Sequence, residues 1–274
     1  MGAPAAGVNA GESMRAARVN GAGSVILVEG LAKTYAPTVR ALTGVSFAVR
    51  PGEFVGVLGP SGAGKTTLFR CLTGLTRPDA GSVLVNSRDI AHSGGRELRA
   101  ARHDVALIFQ QFNLIRRLTA LQNVLAGRLP LVPTWRVLLR QFAHADRQLA
   151  LGCLDTVGLL DKATSRADQL SGGQQQRVAI ARALAQDAAV ILADEPVASL
   201  DPESSATVLE SLRAAASAGM AVIASLHQVH LAMQYADRII ALRDGAIIED
   251  APTASFDRRA LDQIYERAGD RGTA

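Results

Sequence analysis

The 274-residue chain holds only two cysteines, Cys71 and Cys153, which stand far apart and form no C-x-x-C spacing. That excludes a disulfide framework and a cysteine zinc site, and makes a reducing, cytosolic compartment the simpler reading. No uninterrupted apolar run approaches the ~18 residues a membrane-crossing helix requires, so the chain is not expected to span a bilayer by itself. A strong charge of either sign is missing too, since 29 basic and 25 acidic residues leave a formal +4. So mild an excess suits a surface that meets nucleotide or lies near anionic lipid, and it does not demand nucleic acid. There is no internal repeat and no sustained heptad pattern. What the chain does have is apolar residues, 48% of the total, enough for a sizeable core and too many for disorder of the whole.

Residues 1–22 are rich in Gly, Ala and Asn without hydrophobic periodicity, and are expected to form a disordered extension. They contain no apolar segment of the secretory kind, and Ala6 stands where a myristoylation motif requires Ser or Thr. Strand patterns follow at Val25–Val28 and Val45–Val49, with Tyr35 in a polar stretch between them. Pro51-Gly52 then turns the chain into the apolar run Phe54–Leu58, and further strands read at Ser82–Asn86 and Val105–Phe109. From Gln111 to Gln169 the character becomes helical, with amphipathic pieces at Trp135–Phe142 and Leu149–Val157. Fully apolar strands return at Val190–Ala193 and Ala221–Leu226, and Asp244-Gly245 joins two last runs as a hairpin. This pattern predicts one α/β domain over residues 23–252 with a helical lobe inserted at about 111–170. A charged tail at 253–274, helical by composition, completes the expectation.

The chemistry concentrates at Gly59-Pro60-Ser61-Gly62-Ala63-Gly64-Lys65-Thr66-Thr67, which satisfies the P-loop spacing G-x-x-x-x-G-K-[ST]. A strand precedes it, and Leu68–Leu72 continues as a helix. A strand–glycine loop–helix unit turns successive backbone N–H groups toward phosphate oxygens, and the helix N-terminus adds a favourable field. Gly62 and Gly64 can take the positive φ such a loop needs. Lys65 would reach the β- and γ-phosphates, and the Thr66 hydroxyl would ligate Mg²⁺.

Asp194-Glu195-Pro196 follows the apolar strand at Val190, at the strand end where open α/β sheets bind ligands. Two adjacent carboxylates there are poor core material, because unpaired buried charge is costly. Asp194 would hold Mg²⁺ as a Walker-B acid, and Glu195 would be general base for a water attacking the γ-phosphate. His227 ends another strand on that same sheet edge, where a structural role and a phosphate-sensing role both remain open. Tyr35 is either a half-buried strand aromatic or a platform for a purine ring. Leu170-Ser171-Gly172-Gly173-Gln174 opens a helix with Ser171 as an acceptable N-cap. It would equally make a second anion site. Since the P-loop already surrounds the phosphates from one side, a second cradle makes sense over the nucleotide of another subunit.

With these motifs in this order, the chain resembles the nucleotide-binding subunits of ATP-binding cassette (ABC) transporters over roughly Val25 to Asp250. The resemblance implies a P-loop NTPase fold of the ABC cassette type: a RecA-like mixed sheet, an N-terminal antiparallel β subdomain and an inserted helical subdomain. Residue by residue, Tyr35 matches the adenine-stacking aromatic. Gln110 matches the Q-loop glutamine that senses Mg²⁺ and the attacking water and links them to the membrane subunit. Ser171, Gly172, Gly173 and Gln174 match the signature that caps a partner's ATP. Asp201, in Ala198-Ser199-Leu200-Asp201, matches the D-loop that crosses the dimer, and His227 matches the switch histidine at the γ-phosphate. The implied partners are a second copy in an ATP-sandwich dimer, integral membrane permease subunits and, indirectly, a periplasmic or extracellular substrate-binding protein. ATP and Mg²⁺ are the implied cofactors, and the inner membrane's cytoplasmic face is the implied location.

Within that family the chain is most similar to the ATPases of phosphonate importers. Ile108-Phe109-Gln110-Gln111-Phe112-Asn113-Leu114, Pro133-Thr134-Trp135-Arg136, Arg166-Ala167-Asp168-Gln169 and Leu226-His227-Gln228-Val229 carry this likeness. None of these stretches contacts cargo, so phosphonate is inference by family, with phosphate, phosphite or a polar amino acid as alternatives. A soluble ABC ATPase acting on DNA or ribosomes is the reading from another class. It lacks support here, because the chain has no second cassette, long coiled-coil insert or zinc cysteines. A subunit recruited to an intracellular phosphonate-degrading complex is the third.

Overall fold

The computed structural model describes residues 23–36, 38–109, 112–132 and 142–256. The predicted extension, the helix expected at Trp135–Phe142 except its last residue, nearly all of the charged tail and Gln110 therefore lie outside the described residues.

Two sheets carry the fold. The first is antiparallel, ordered β2-β1-β4-β5, from β1 (Ile26–Tyr35), β2 (Val39–Val49), β4 (Ala80–Val85) and the short β5 (Arg88–Asp89). The second has six strands ordered β10-β9-β3-β8-β7-β6. These are β3 (Phe54–Leu58), β6 (Val105–Ile108), β7 (Val190–Asp194), β8 (Ala221–Ser225), β9 (Arg238–Arg243) and β10 (Ala246–Pro252). Neighbours in it pair in parallel except β9 with β10, the hairpin read from Asp244-Gly245.

The inner parallel strands read as unbroken apolar runs because both of their faces are covered. Alternate residues serve different layers. Val55, Val57, Val190, Leu192, Ile223, Ile240 and Leu242 pack toward the antiparallel sheet. Phe54, Leu58, Ile191, Ala193, Val222, Ala224, Ile239 and Ala241 pack toward the helices on the other side.

Those helices are α3 (Ala120–Leu125), α4 (His144–Thr156), α5 (Gly172–Ala185), α6 (Pro202–Ser217) and α7 (Val229–Tyr235). α1 (Lys65–Leu72) lies between the sheets, and α2 (Gly95–His103) leads into β6. α3, α4 and α5 pack on one another. The fully buried Asn123 fastens this segment: its amide donates to the carbonyls of Ile115, Leu118 and Thr119, and its oxygen accepts the Ile115 N–H. Arg182 of α5 donates to the Asn113 carbonyl at 2.7 Å and to that of Phe112 at 3.3 Å, tying α5 to the chain just beyond β6.

Two expectations need correction. The alternation seen at Val25–Val28 and Val45–Val49 covers only part of each strand. β1 runs on to Tyr35 and β2 begins at Val39, so the polar stretch around Tyr35 is strand and Tyr35, paired with Val39, is the strand aromatic of its first reading. Register shifts after Val28, Leu31 and Lys33 break the two-residue period, which hides the outer strand from pattern reading. The helix read at Leu149–Val157 also begins earlier, at His144.

Candidate nucleotide-binding site

Strand order brings the chemistry together. β8, which follows β7 in the chain, is inserted between β7 and β3, so the carboxyl ends of β3, β8 and β7 are adjacent. Those ends carry the P-loop, His227 and Asp194-Glu195 respectively. A crevice at the carboxyl ends of parallel strands is the ligand site of open α/β sheets.

The loop after β3 approaches other backbone closely. A Cβ at Gly59 would stand 2.2 Å from the Leu242 carbonyl oxygen, and one at Gly64 would stand 2.4 Å from that of Ala41. Gly64 has φ +104° and Gly62 has φ +81°, the left-handed region expected of both. Gly64 is the N-cap of α1, and no side chain caps that helix. Pro60 is half-buried and Ala63 buried, while Ser61 and Thr66 are exposed and Thr67 half-buried. The buried Lys65 bends back to donate from Nζ to the carbonyls of Gly59 at 2.5 Å and Pro60 at 3.2 Å. Burial pushes its pKa below the usual lysine value, and the negative charges of Glu195 and Asp194 oppose that shift.

Asp194 closes β7, and burial raises its pKa above the usual carboxylate range. A hydrogen bond from the Ser225 hydroxyl, at 2.9 Å to Oδ1, works against the rise. Glu195 has φ +51°, a left-handed conformation that costs a non-glycine residue about 1–3 kcal/mol and clusters at functional sites. Its N–H donates to Ser225 Oγ at 2.8 Å, and its Oε1 meets His227 Nε2 at 2.5 Å. Ser225 therefore joins the site, although no motif reading singled it out. It is the one polar residue in the run Ala221–Leu226 and is fully buried, which is the signal that could have found it.

At the start of α5, Ser171 and Gly172 are exposed and Gly173 is buried. Ser171 Oγ accepts the Gln174 N–H at 3.3 Å, and Gln174 Oε1 accepts the Ser171 N–H at 3.0 Å, a complete capping box. The N-cap reading of Ser171 is thus realised, and Ser171 and Gly172 stay exposed beside it. Asp201 N-caps α6 by accepting the Ser204 N–H at 2.9 Å, and that bond lowers its pKa. A Cβ at Gly173 would meet Ser204 Oγ at 2.6 Å, so the α5 start lies against the first turn of α6. Tyr35 is 37% exposed, and Lys33 Nζ stands 5.8 Å from its ring centroid.

A P-loop on a parallel sheet, with a carboxylate pair and a histidine on the neighbouring strand ends, defines a P-loop nucleotide-hydrolysing fold. The model of the ABC transporter family matches residues 42–198, more than half of the chain, and the chain belongs to that family. Among curated proteins it is 48% identical over 240 residues to the hypophosphite import ATP-binding protein HtxD of Stutzerimonas stutzeri, covering 87% of this chain and 70% of that one. It is 47% identical over 250 residues to the phosphonates import ATP-binding protein PhnC 1 of Cupriavidus metallidurans, covering 89% and 88% respectively. Among solved structures it is similar to an ATP-binding cassette dimer in a post-hydrolysis state bound to ADP and Pi, at 35% identity and a TM-score of 0.72. That match covers 84% of this chain and 100% of the other. The chain is an ABC ATPase. Among the described residues no helix is long and apolar enough to cross a membrane.

Proposed function

We propose that this ATPase is the energy-coupling subunit of an importer for phosphonates, acting as a dimer at the cytoplasmic face of the inner membrane. The similarity to phosphonates import ATP-binding proteins over 89% of the chain carries the cargo class. The contact between Glu195 and His227 beside the P-loop is the observation that carries the hydrolytic role.

In this reading the α1 N-terminus and Lys65 hold the β- and γ-phosphates of ATP, and Tyr35 stacks on the adenine. Ser61, Gly62, Ala63, Gly64, Thr66 and Thr67 line the phosphates through the loop backbone and hydroxyls. The donors suit Mg²⁺, which prefers one or two carboxylates plus substrate phosphates over an all-protein cage. Asp194 keeps Oδ2 clear of Ser225, the Thr66 hydroxyl is exposed, and the described residues include no cluster of three metal-binding side chains. Asp194, Thr66 and Gln110 would hold the ion, which would neutralise charge on the phosphates. Glu195 orients and deprotonates the attacking water, and His227 and Lys65 stabilise the charge that develops. Ser171 to Gln174 close over the ATP of a second copy, with Asp201 at the crossing point. The exposure of Ser171 and Gly172 supports that closure.

A groove of about 520 Å³ beside β6, lined by Leu75, Arg102, Phe109, Pro130 and Arg182 among others, supports docking of the permease. Leu75 in its lining is 56% exposed, and Leu129 and Leu131, the chain neighbours of the lining residue Pro130, are 40% and 44% exposed. Cargo selection would rest with the permease and a separate binding protein. Reconstitution with both in vesicles tests the proposal. ATP-driven accumulation of a phosphonate is expected, and uptake of phosphate or an amino acid with phosphonate left outside would overturn the cargo assignment.

A further inference from the structure

We infer that Ser225 is a positioning residue for hydrolysis: its single hydroxyl fixes the metal-side carboxylate and the base-bearing peptide together. This rests on the roles proposed above for Asp194 and Glu195.

A serine hydroxyl has one proton to give and lone pairs to accept with. At Ser225 both capacities are used on consecutive residues of the neighbouring strand end. The proton goes to Asp194 Oδ1 at 2.9 Å, and the oxygen accepts the Glu195 N–H at 2.8 Å. The first bond holds one carboxylate oxygen, Oδ1, and so fixes the rotation of the carboxylate. The second pins a peptide whose φ of +51° would otherwise be unfavourable for glutamate. From that pinned turn Glu195 directs Oε1 to His227 Nε2, two residues beyond Ser225 itself.

Backbone pairing makes the bridge rigid. Ser225 lies in register with Asp194 on one side and with Val57 on the other, and the Leu226 N–H donates to the Val57 carbonyl at 3.1 Å, two residues before Gly59. The hydroxyl is thus referenced to the P-loop strand as well as to β7. Packing alone gives no reason for it, since the adjacent core positions Ala193 and Ala224 are alanines with no exposed surface. An alanine at Ser225 would fill the same space and leave the Glu195 N–H and Asp194 Oδ1 without this partner. Residues that orient ligating groups in this way typically matter by about 10–100-fold in affinity or activity.

The test uses the full-length chain and compares Ser225→Ala and Ser225→Thr with the parent, Thr being well suited to an extended strand. The readouts are kcat and KM for Mg·ATP, ATP affinity in EDTA, the gain in ATP affinity on adding Mn²⁺ with the spin signal of the bound ion, and the melting temperature. Ser225→Ala is expected to lose kcat by about 10–100-fold and to lose part of the Mn²⁺ gain, with metal-free ATP affinity kept and a lowered melting temperature from the unpartnered groups. Ser225→Thr, which retains the hydroxyl, is expected to restore most of both. Parental kcat and Mn²⁺ response in Ser225→Ala would overturn the inference. So would a loss of metal-free ATP affinity shared equally by both variants, which would mark a packing role. Glu195→Gln measured in parallel separates the two levels: near-parental turnover there would refute the base assignment itself, whatever Ser225 does.

Discussion

The helices α1 and α5 both begin at turns that contain glycine, and they begin differently. α1 starts behind Gly64, with φ +104° and no side-chain cap, sunk between β2 and β9 so that neither Gly59 nor Gly64 has room for a Cβ. α5 starts behind Ser171, which satisfies the first turn through a full capping box and stays exposed with Gly172. The first start depends on its own fold for position and has no side chain on its first N–H groups. The second is stable by itself and turned outward. In the proposed reading, one cassette carries a fixed half-site at α1 and a presented half-site at α5, and each nucleotide is gripped by two chains.

The largest effect on this comparison should come from the fixed half-site. Glu195→Gln is expected to lower kcat by ~10²–10⁴-fold while ATP still binds, with ATP-dependent dimers accumulating in light scattering. Next come the glycines. Gly64→Ala adds a strain of about 1–2 kcal/mol from φ alone, before the contact with the Ala41 carbonyl, and should lower the melting temperature clearly. Gly172→Ala meets nothing nearer than Phe112 Cζ at 3.7 Å, so stability should hold while hydrolysis falls; intact hydrolysis would remove Gly172 from the nucleotide. Ser171→Ala should cost about 1 kcal/mol through the lost cap, readable in denaturant titration. The smallest effect concerns the thiols. Burial pushes both Cys71 and Cys153 up to about 11, so alkylation at pH 8 should be slow in the native chain and rapid once it is unfolded.

Much of this was legible in the residues because the signals were local. A P-loop is contiguous, buried parallel strands are unbroken apolar runs, and Asp194-Glu195 follows one of them directly. The Asp244-Gly245 turn and the Ser171 cap were readable for the same reason. What escaped was non-local. The outer half of β1, with Tyr35, is hidden by bulges that spoil its period. Ser225 looks like a small residue in an apolar strand until β8 is inserted between β3 and β7, and only that strand order reveals what its hydroxyl touches. Gly59 carries no pattern that announces the Leu242 carbonyl behind it.

A mixing experiment tests the two-chain grip most directly. Lys65→Ala disables the fixed half-site and Ser171→Arg the presented one, and each variant alone should hydrolyse almost no ATP. Mixed, they form dimers in which one composite site joins an intact P-loop to an intact Ser171 start, so hydrolysis should return. A mixture as inactive as its components, or full activity in Ser171→Arg alone, would contradict the account.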